Sequence, residues 1–183
     1  MKKIFLDTEF TGLHQNSTLI SLALIAESGE EFYAEFNDFN KKQITEWLTI
    51  NVMSNCFLNE TNQSNDLNKM QIKGDKDEIK SALIIWLNQF GETKNSIQIW
   101  ADVPHYDWVL FCELFGGAMS VPKQIHYMPM DLATLLNVKG LDINKPRIEL
   151  IEEKKTPKNL KQHNALYDAL ITKLCYQKTT END

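Results

Sequence analysis

The sequence predicts an α/β domain built on a mixed sheet, from three observations. Three β-forming segments follow one another closely before residue 37. After residue 75 the chain alternates helical and extended patterns, the order of strand–helix–strand units. Its 183 residues, 43% apolar and 24% charged, have the composition of an ordinary globular protein. At ~150 residues per domain, that length is enough for one core and too short for two full-sized domains, so residues 1–183 are expected to form a single domain.

Residues 2–7 (KKIFLD) are a short apolar run of β-formers, the pattern of a buried strand. Residues 18–26 (TLISLALIA) read the same way and are closed by a Ser28-Gly29 turn. Over 31–36 (EFYAEF) the period is two, with Phe32, Ala34 and Phe36 on one face. From about 41 to 58, Ile44, Trp47, Leu48 and Val52 stand at helical spacing, whereas 59–69 (NETNQSNDLNK) reads as a polar, Asn-rich loop. Ile79, Leu83, Trp86, Leu87 and Phe90 give 75–90 a helical stripe that Gly91 is placed to stop. Residues 97–101 (IQIWA) are a strand, and Pro104 suits the first turn of a helix running to about Phe115 and ended by Gly116-Gly117. A short strand at 125–128, an Asp131-capped helix LATLLNV, an irregular stretch over 139–159 and a last helix over about 162–177 complete the reading. Trp47, Trp86 and Trp108 fall on helical stripes and are expected in the core. Trp100, out of phase with Ile97, Ile99 and Ala101, is expected at the other sheet face or in an interface.

Charge narrows the partners. The net charge is −6, with 10 basic and 18 acidic groups in residues 1–138 and 9 basic and 7 acidic in residues 139–183. That is not the general basic field of a protein that grips nucleic acid by charge alone. A polyanionic substrate would have to be met by a local basic patch, by metal ions, or by both. Eighteen of the nineteen basic residues are lysines, and Arg147 is the exception. Lys154, Lys155, Lys158 and Lys161 are either a solvated face or such a patch. No apolar run approaches the ~18 residues of a membrane span, so no membrane partner is expected. The acid at position 7 of MKKIFLDTEF stands where a signal peptide would need its apolar stretch. Cys56, Cys112 and Cys175 form no CxxC pair, which argues against a disulfide scaffold or zinc site and for a reducing cytoplasm.

Three constellations carry chemistry. Asp7-Thr8-Glu9 ends the first strand, and residues two apart on a strand share a face, so both carboxylates project together. A divalent cation with a preference for oxygen ligands, Mg²⁺ or Mn²⁺, would relieve their repulsion; a strand that has merely reached the surface would show the same residues. His105-Tyr106-Asp107 follows strand IQIWA, where an Asp also suits a helix N-terminus. In His163-Asn164-Ala165-Leu166-Tyr167-Asp168, positions five apart on a helix diverge by about 140°. His163 and Asp168 can therefore share a site only if His163 lies on the loop or first turn leading into the helix. His14, His105 and His126 have no carboxylate at the spacing of His163 and Asp168 and are expected to be structural or solvent-facing, with His105, which adjoins Asp107, the runner-up for a base.

Taken together, DTEFTGL near the start, an Asp after a mid-chain strand and H-x4-D on the last helix resemble the three motifs of the DEDDh exonucleases in order and spacing. The four-residue spacing that would hold Tyr in the tyrosine variant of that superfamily holds Asn164 here. FYAEF, WADVPHYDWVLFCELFGG and HNALYDA are similar to the small bacterial exoribonucleases of the RNase AS type. Val103 stands four residues before Asp107, where many members have Asn, and Asp102 is a nearby second candidate; Tyr106-Asp107 with Leu110 downstream favours Asp107. The resemblance implies a ribonuclease-H-like fold, here a five-stranded mixed sheet with helices on both faces. It also implies a 3′–5′ exoribonuclease acting on the 3′ end of single-stranded RNA and releasing nucleoside 5′-monophosphates. Asp7, Glu9, Asp107 and Asp168 would hold two Mg²⁺ or Mn²⁺ ions ~3.5–4 Å apart, and His163 would be the general base. Phe10, Thr11, Gly12 and Leu13 would seat the terminal nucleotide, and a homodimer is implied. A DNA-trimming exonuclease of the same family and a non-catalytic RNA-binding module are the alternatives.

Overall fold

In the computed structural model, which describes residues 1–151 and 156–181, a mixed sheet runs through the molecule. Its strands are β1 (Lys2–Phe10), β2 (Leu19–Ala26), β3 (Glu31–Phe36), β4 (Ser64–Asp66), β5 (Lys69–Gly74), β6 (Ile97–Ala101) and β7 (Met130–Asp131), in the order β4-β5-β3-β2-β1-β6-β7. β1, β2 and β3 form an antiparallel meander; β6 adds to β1 and β5 adds to β3 in parallel. The helices are α1 (Glu46–Asn51), α2 (Lys76–Asn88), α3 (His105–Leu114), α4 (Leu132–Val138) and α5 (Ala165–Thr180).

Both faces of the central strands are covered, which is why β2 is buried at all eight positions and is apolar at all of them but Ser21. Ile4, Leu6, Leu22, Leu24, Phe32 and Ala34 join Ile79, Leu83 and Trp86 of α2 and Phe111 and Leu114 of α3 in the main core. The opposite parity, Ala23, Ile25 and Tyr33, meets Ala165, Leu166 and Ala169 of α5. Trp100 lies on this second face, its ring 4.6 Å from that of Tyr176. Local signals set the helix starts. Asp75 and Glu78 complete a capping box on α2, and Asp131 accepts from the Ala133 and Thr134 amides to cap α4.

The sheet has seven strands, not the five expected. The additional pair, β4 and β5, lies at the edge, where backbone pairing to β3 suffices without an apolar pattern: along β5 only Met70 and Gly74 are buried. The strand expected at 125–128 is a single bridge, Ile97 to Ile125, and the pairing with β6 resumes as the two-residue β7. The helix expected over 41–58 is a six-residue α1 flanked by 3₁₀ turns. Leu48 and Val52 pack under Ile20, but Trp47 is 53% exposed and is not core. Trp86 is fully buried. Among the described residues, no helix is long and apolar enough to cross a membrane.

Candidate active site

Asp7 and Glu9 leave β1 on the face that α5 covers; Phe5, of the same parity, packs against Tyr176 of α5 at 5.4 Å. Thr8, between them, is buried on the opposite side. There Asp107, in the first turn of α3, accepts hydrogen bonds through Oδ1 from the Thr8 amide at 3.0 Å and from its hydroxyl at 2.7 Å. The second-motif acid is thereby tied to the strand that carries the first. Asp102, the other candidate, is turned to a different partner: Arg147 grips it with Nε at 2.8 Å and Nη2 at 3.1 Å.

The last motif meets the spacing problem by starting its helix late. α5 begins at Ala165, so His163 lies outside the helix, in left-handed backbone at φ 64°. Asn164 caps the helix by accepting from the Tyr167 amide, and the His163 amide donates to Asp168 Oδ2 at 2.8 Å. The His163 ring then faces β1, with Nδ1 4.0 Å from Glu9 Oε1, and meets the Trp47 ring edge-on at 5.0 Å.

The resulting cluster is electrostatically incomplete. Burial, reinforced by Asp168 and Asp107, pushes Glu9 up to about 8. Burial likewise lifts Asp168 to about 7 and Asp7 well above the usual carboxylate range, with the surrounding acids adding to the effect. Asp107 is also raised by burial, although its bonds from Thr8 pull the other way. His163 is shifted down by burial, which favours the neutral imidazole. Glu9, His163 and Asp168 each offer a ligand atom, all within 4.8 Å of one another. Half-buried carboxylates with one imidazole and no sulfur are a donor set that fits a divalent cation such as Mg²⁺ or Mn²⁺.

A cavity of about 490 Å³ opens beside the cluster, lined by Asp7 through Leu13, Thr45, Trp47, Leu48, Asp107 and His163. The four residues expected to seat a nucleotide all border it, in different ways. Phe10 stacks on Tyr106, and Leu13 is 76% exposed. Thr11 is buried, its hydroxyl donating to Gln43 Oε1 at 2.6 Å and accepting from the Thr18 amide, so its side chain builds the loop. At Gly12 a Cβ would come within 2.9 Å of the exposed His14 ring, a side chain free to give way. The sequence reading missed Trp47, whose spacing with Leu48 and Val52 is also that of a core helix. It also missed Thr8 as the anchor of Asp107. His105 and His14 are exposed. Lys158 and Lys161 border a separate cavity with Asn55 and Asn164, and Lys154 and Lys155 lie outside the described residues.

A family model described as the 3′-5′ exoribonuclease Rv2179c-like domain matches residues 2–180. Two curated relatives from Mycobacterium tuberculosis strains, the 3′-5′ exoribonucleases MT2234.1 and Rv2179c, are each 27% identical over 91% of this chain and 86% of their own. Among solved structures, the RNase domain of the yeast Pop2 protein superposes with a TM-score of 0.64 at 14% identity, over 98% of this chain and 77% of that one. Cell-death related nuclease 4 (CRN-4) gives 0.51 at 12% identity, over 99% and 64%. These two share the fold, a ribonuclease-H-like arrangement of sheet and helices.

Proposed function

This chain belongs to the Rv2179c-like 3′-5′ exoribonuclease family, and from that premise we propose that it shortens single-stranded RNA from the 3′ end, releasing nucleoside 5′-monophosphates. One observation carries the assignment to a site: four acids and a histidine from three distant motifs converge at the end of β1, beside a cavity of about 490 Å³. Asp7, Glu9, Asp107 and Asp168 would hold two Mg²⁺ or Mn²⁺ ions. Bound there, the ions supply stabilisation of the charge that develops on the scissile phosphate.

The chain's own residues do the rest. Phe10 to Leu13 and Trp47 border the space for the terminal nucleoside, with Leu13 and the Trp47 ring as exposed apolar surfaces for a base. Water attacks the last phosphodiester at phosphorus, and the bond to the O3′ of the preceding nucleotide breaks. The neutral imidazole of His163 takes the water's proton, and a proton passes to the departing O3′. Burial favours the form that can accept. The proposal includes a cytoplasmic setting, supported by three unpaired thiols, Cys56, Cys112 and Cys175, and a homodimer as the working form.

A second reading is favoured by the 4.8 Å grouping of Glu9, His163 and Asp168: His163 as a metal ligand. Matched 5′-labelled RNA and DNA oligomers, incubated with Mg²⁺ or with EDTA, test the main assignment. A one-nucleotide ladder from the 3′ end of RNA, absent in EDTA, is expected; cleavage undiminished in EDTA contradicts it. If His163→Ala abolishes the rise in Tm produced by Mg²⁺, the ligand reading replaces the base.

A further inference from the structure

The His163 backbone is in the left-handed region at φ 64°. Non-glycine residues hold such a conformation only where the surroundings over-determine it. The contacts that do so come from a segment more than a hundred residues earlier. The Asn55 side-chain amide reaches the carbonyls of Gln162 at 3.0 Å and His163 at 3.3 Å. In return, the amide of buried Asn164 donates to the Asn55 carbonyl at 2.9 Å and to the Tyr33 hydroxyl at 3.3 Å. Asn55 thus holds the backbone of Gln162 and His163, and Asn164, on the other side of His163, holds the backbone of Asn55.

The grip is itself anchored. The Asn55 amide donates to Val52 and its side chain to Asn51, at the end of α1. Two residues on, the Phe57 and Leu58 amides donate to buried Glu35 at 2.6 and 2.9 Å. Asn55 is absent from the lining of the cavity beside the carboxylates; it borders the separate one shared with Lys158 and Lys161. It is placed to act on the loop from outside the cavity beside the carboxylates.

We infer that Asn55 is a positioning residue for the reaction: with Asn164 it fixes the backbone turn that aims the His163 imidazole at Glu9. This rests on His163 taking part in the reaction. Trp47 would be a poor probe, because it touches the same ring but also lines the cavity. Asn55→Ala removes the whole side-chain amide, including its bond to the Asn51 carbonyl, and Asn55→Asp removes the donor at nearly constant volume.

The test combines a kinetic cycle with a spectrum. In the wild-type background, either substitution is expected to lower kcat by roughly tenfold to a hundredfold, the scale for a misplaced catalytic group, with KM changed by less than about twofold. In the His163→Ala background the same substitution is expected to cost less than about twofold, because the group it positions is gone. The ¹⁵N-coupled ring signals of His163, identified by their loss in His163→Ala, are expected to shift or double in Asn55→Ala. An equal loss of kcat in both backgrounds, a change in KM alone, or unmoved ring signals overturns the inference. If instead His163→Ala keeps full activity while Asn55→Ala moves the ring, the clamp stands and the base assignment falls.

Discussion

Glu9 and Glu35 lie in one row of the sheet, each in register with Ser21 of the strand between them, yet they are held in opposite ways. Glu35 is almost fully buried and amply satisfied. It accepts from the Tyr33 hydroxyl and the Phe57 and Leu58 amides and pairs with Lys73 at 3.1 Å. Burial, reinforced by the neighbouring carboxylates, pushes Glu9 up to about 8, and the His163 ring stands in ion-pair range at 4.0 Å. The buried carboxylate of Glu35 receives several donors, whereas that of Glu9 is left short of them. On the proposed reading, a divalent cation would supply the missing positive charge.

Substitutions at the two glutamates should separate these roles. The largest effect is expected at the cluster: Asp7→Asn should abolish 3′-end shortening of RNA, and Glu9→Gln should lower kcat by about 10³-fold, the scale of several kcal/mol of lost charge stabilisation. In metal-free buffer at pH 8, however, Glu9→Gln should melt above the wild type, because an acid with a raised pKa is being removed. Glu35→Gln should do the reverse, lowering stability by about 1–3 kcal/mol as Tyr33, the Phe57 and Leu58 amides and Lys73 lose oxygens that accept from them, while kcat changes far less. If Glu9→Gln destabilises the metal-free protein, the contrast fails.

His163→Ala should lower kcat by ~10²–10⁴-fold and leave the metal-induced rise in Tm intact. Activity should climb with pH through the pKa of this imidazole, since only its neutral form accepts a proton; with burial lowering that pKa, the climb should begin below the range of an ordinary histidine. His105→Ala, on the exposed start of α3, is the smallest change and should cost less than about twofold, the size of effect usual for a surface site. A loss at His105 equal to that at His163 would move the base to the other histidine.

The contrast between the two glutamates also shows where sequence reasoning succeeds. Strands buried on both faces announce themselves, as β2 does, because nearly every position is apolar, Ser21 being the exception. The acids of the cluster were legible because i and i+2 on a strand share a face, and because α5 had to begin after His163 for that motif to close. β5 was not legible: a strand with Lys69, Gln71 and Lys73, next to the edge strand β4, is held by backbone pairing, which leaves no periodic signature. Nor were Asn55 and Thr8, whose bonds run from side chain to backbone or across 99 and more residues of sequence. Trp47 misled for another reason: in a helix of six residues, Leu48 and Val52 suffice to dock it, and the neighbouring position is free to face the cavity.

The most direct test of the unsatisfied cluster is the melting temperature of the wild-type protein between pH 5 and 9, in EDTA and in Mg²⁺. In the folded chain Glu9 holds its proton to about 8, against an ordinary value of 4.5. The metal-free protein is therefore expected to be most stable below the ordinary value and to lose stability as pH rises toward 8, with Asp168 adding to the loss up to about 7. Mg²⁺ at a hundredfold excess over its Kd should restore ~2.7 kcal/mol and flatten that decline. A metal-free melting temperature that stays level across this range, together with no response to Mg²⁺ or Mn²⁺, would contradict the account.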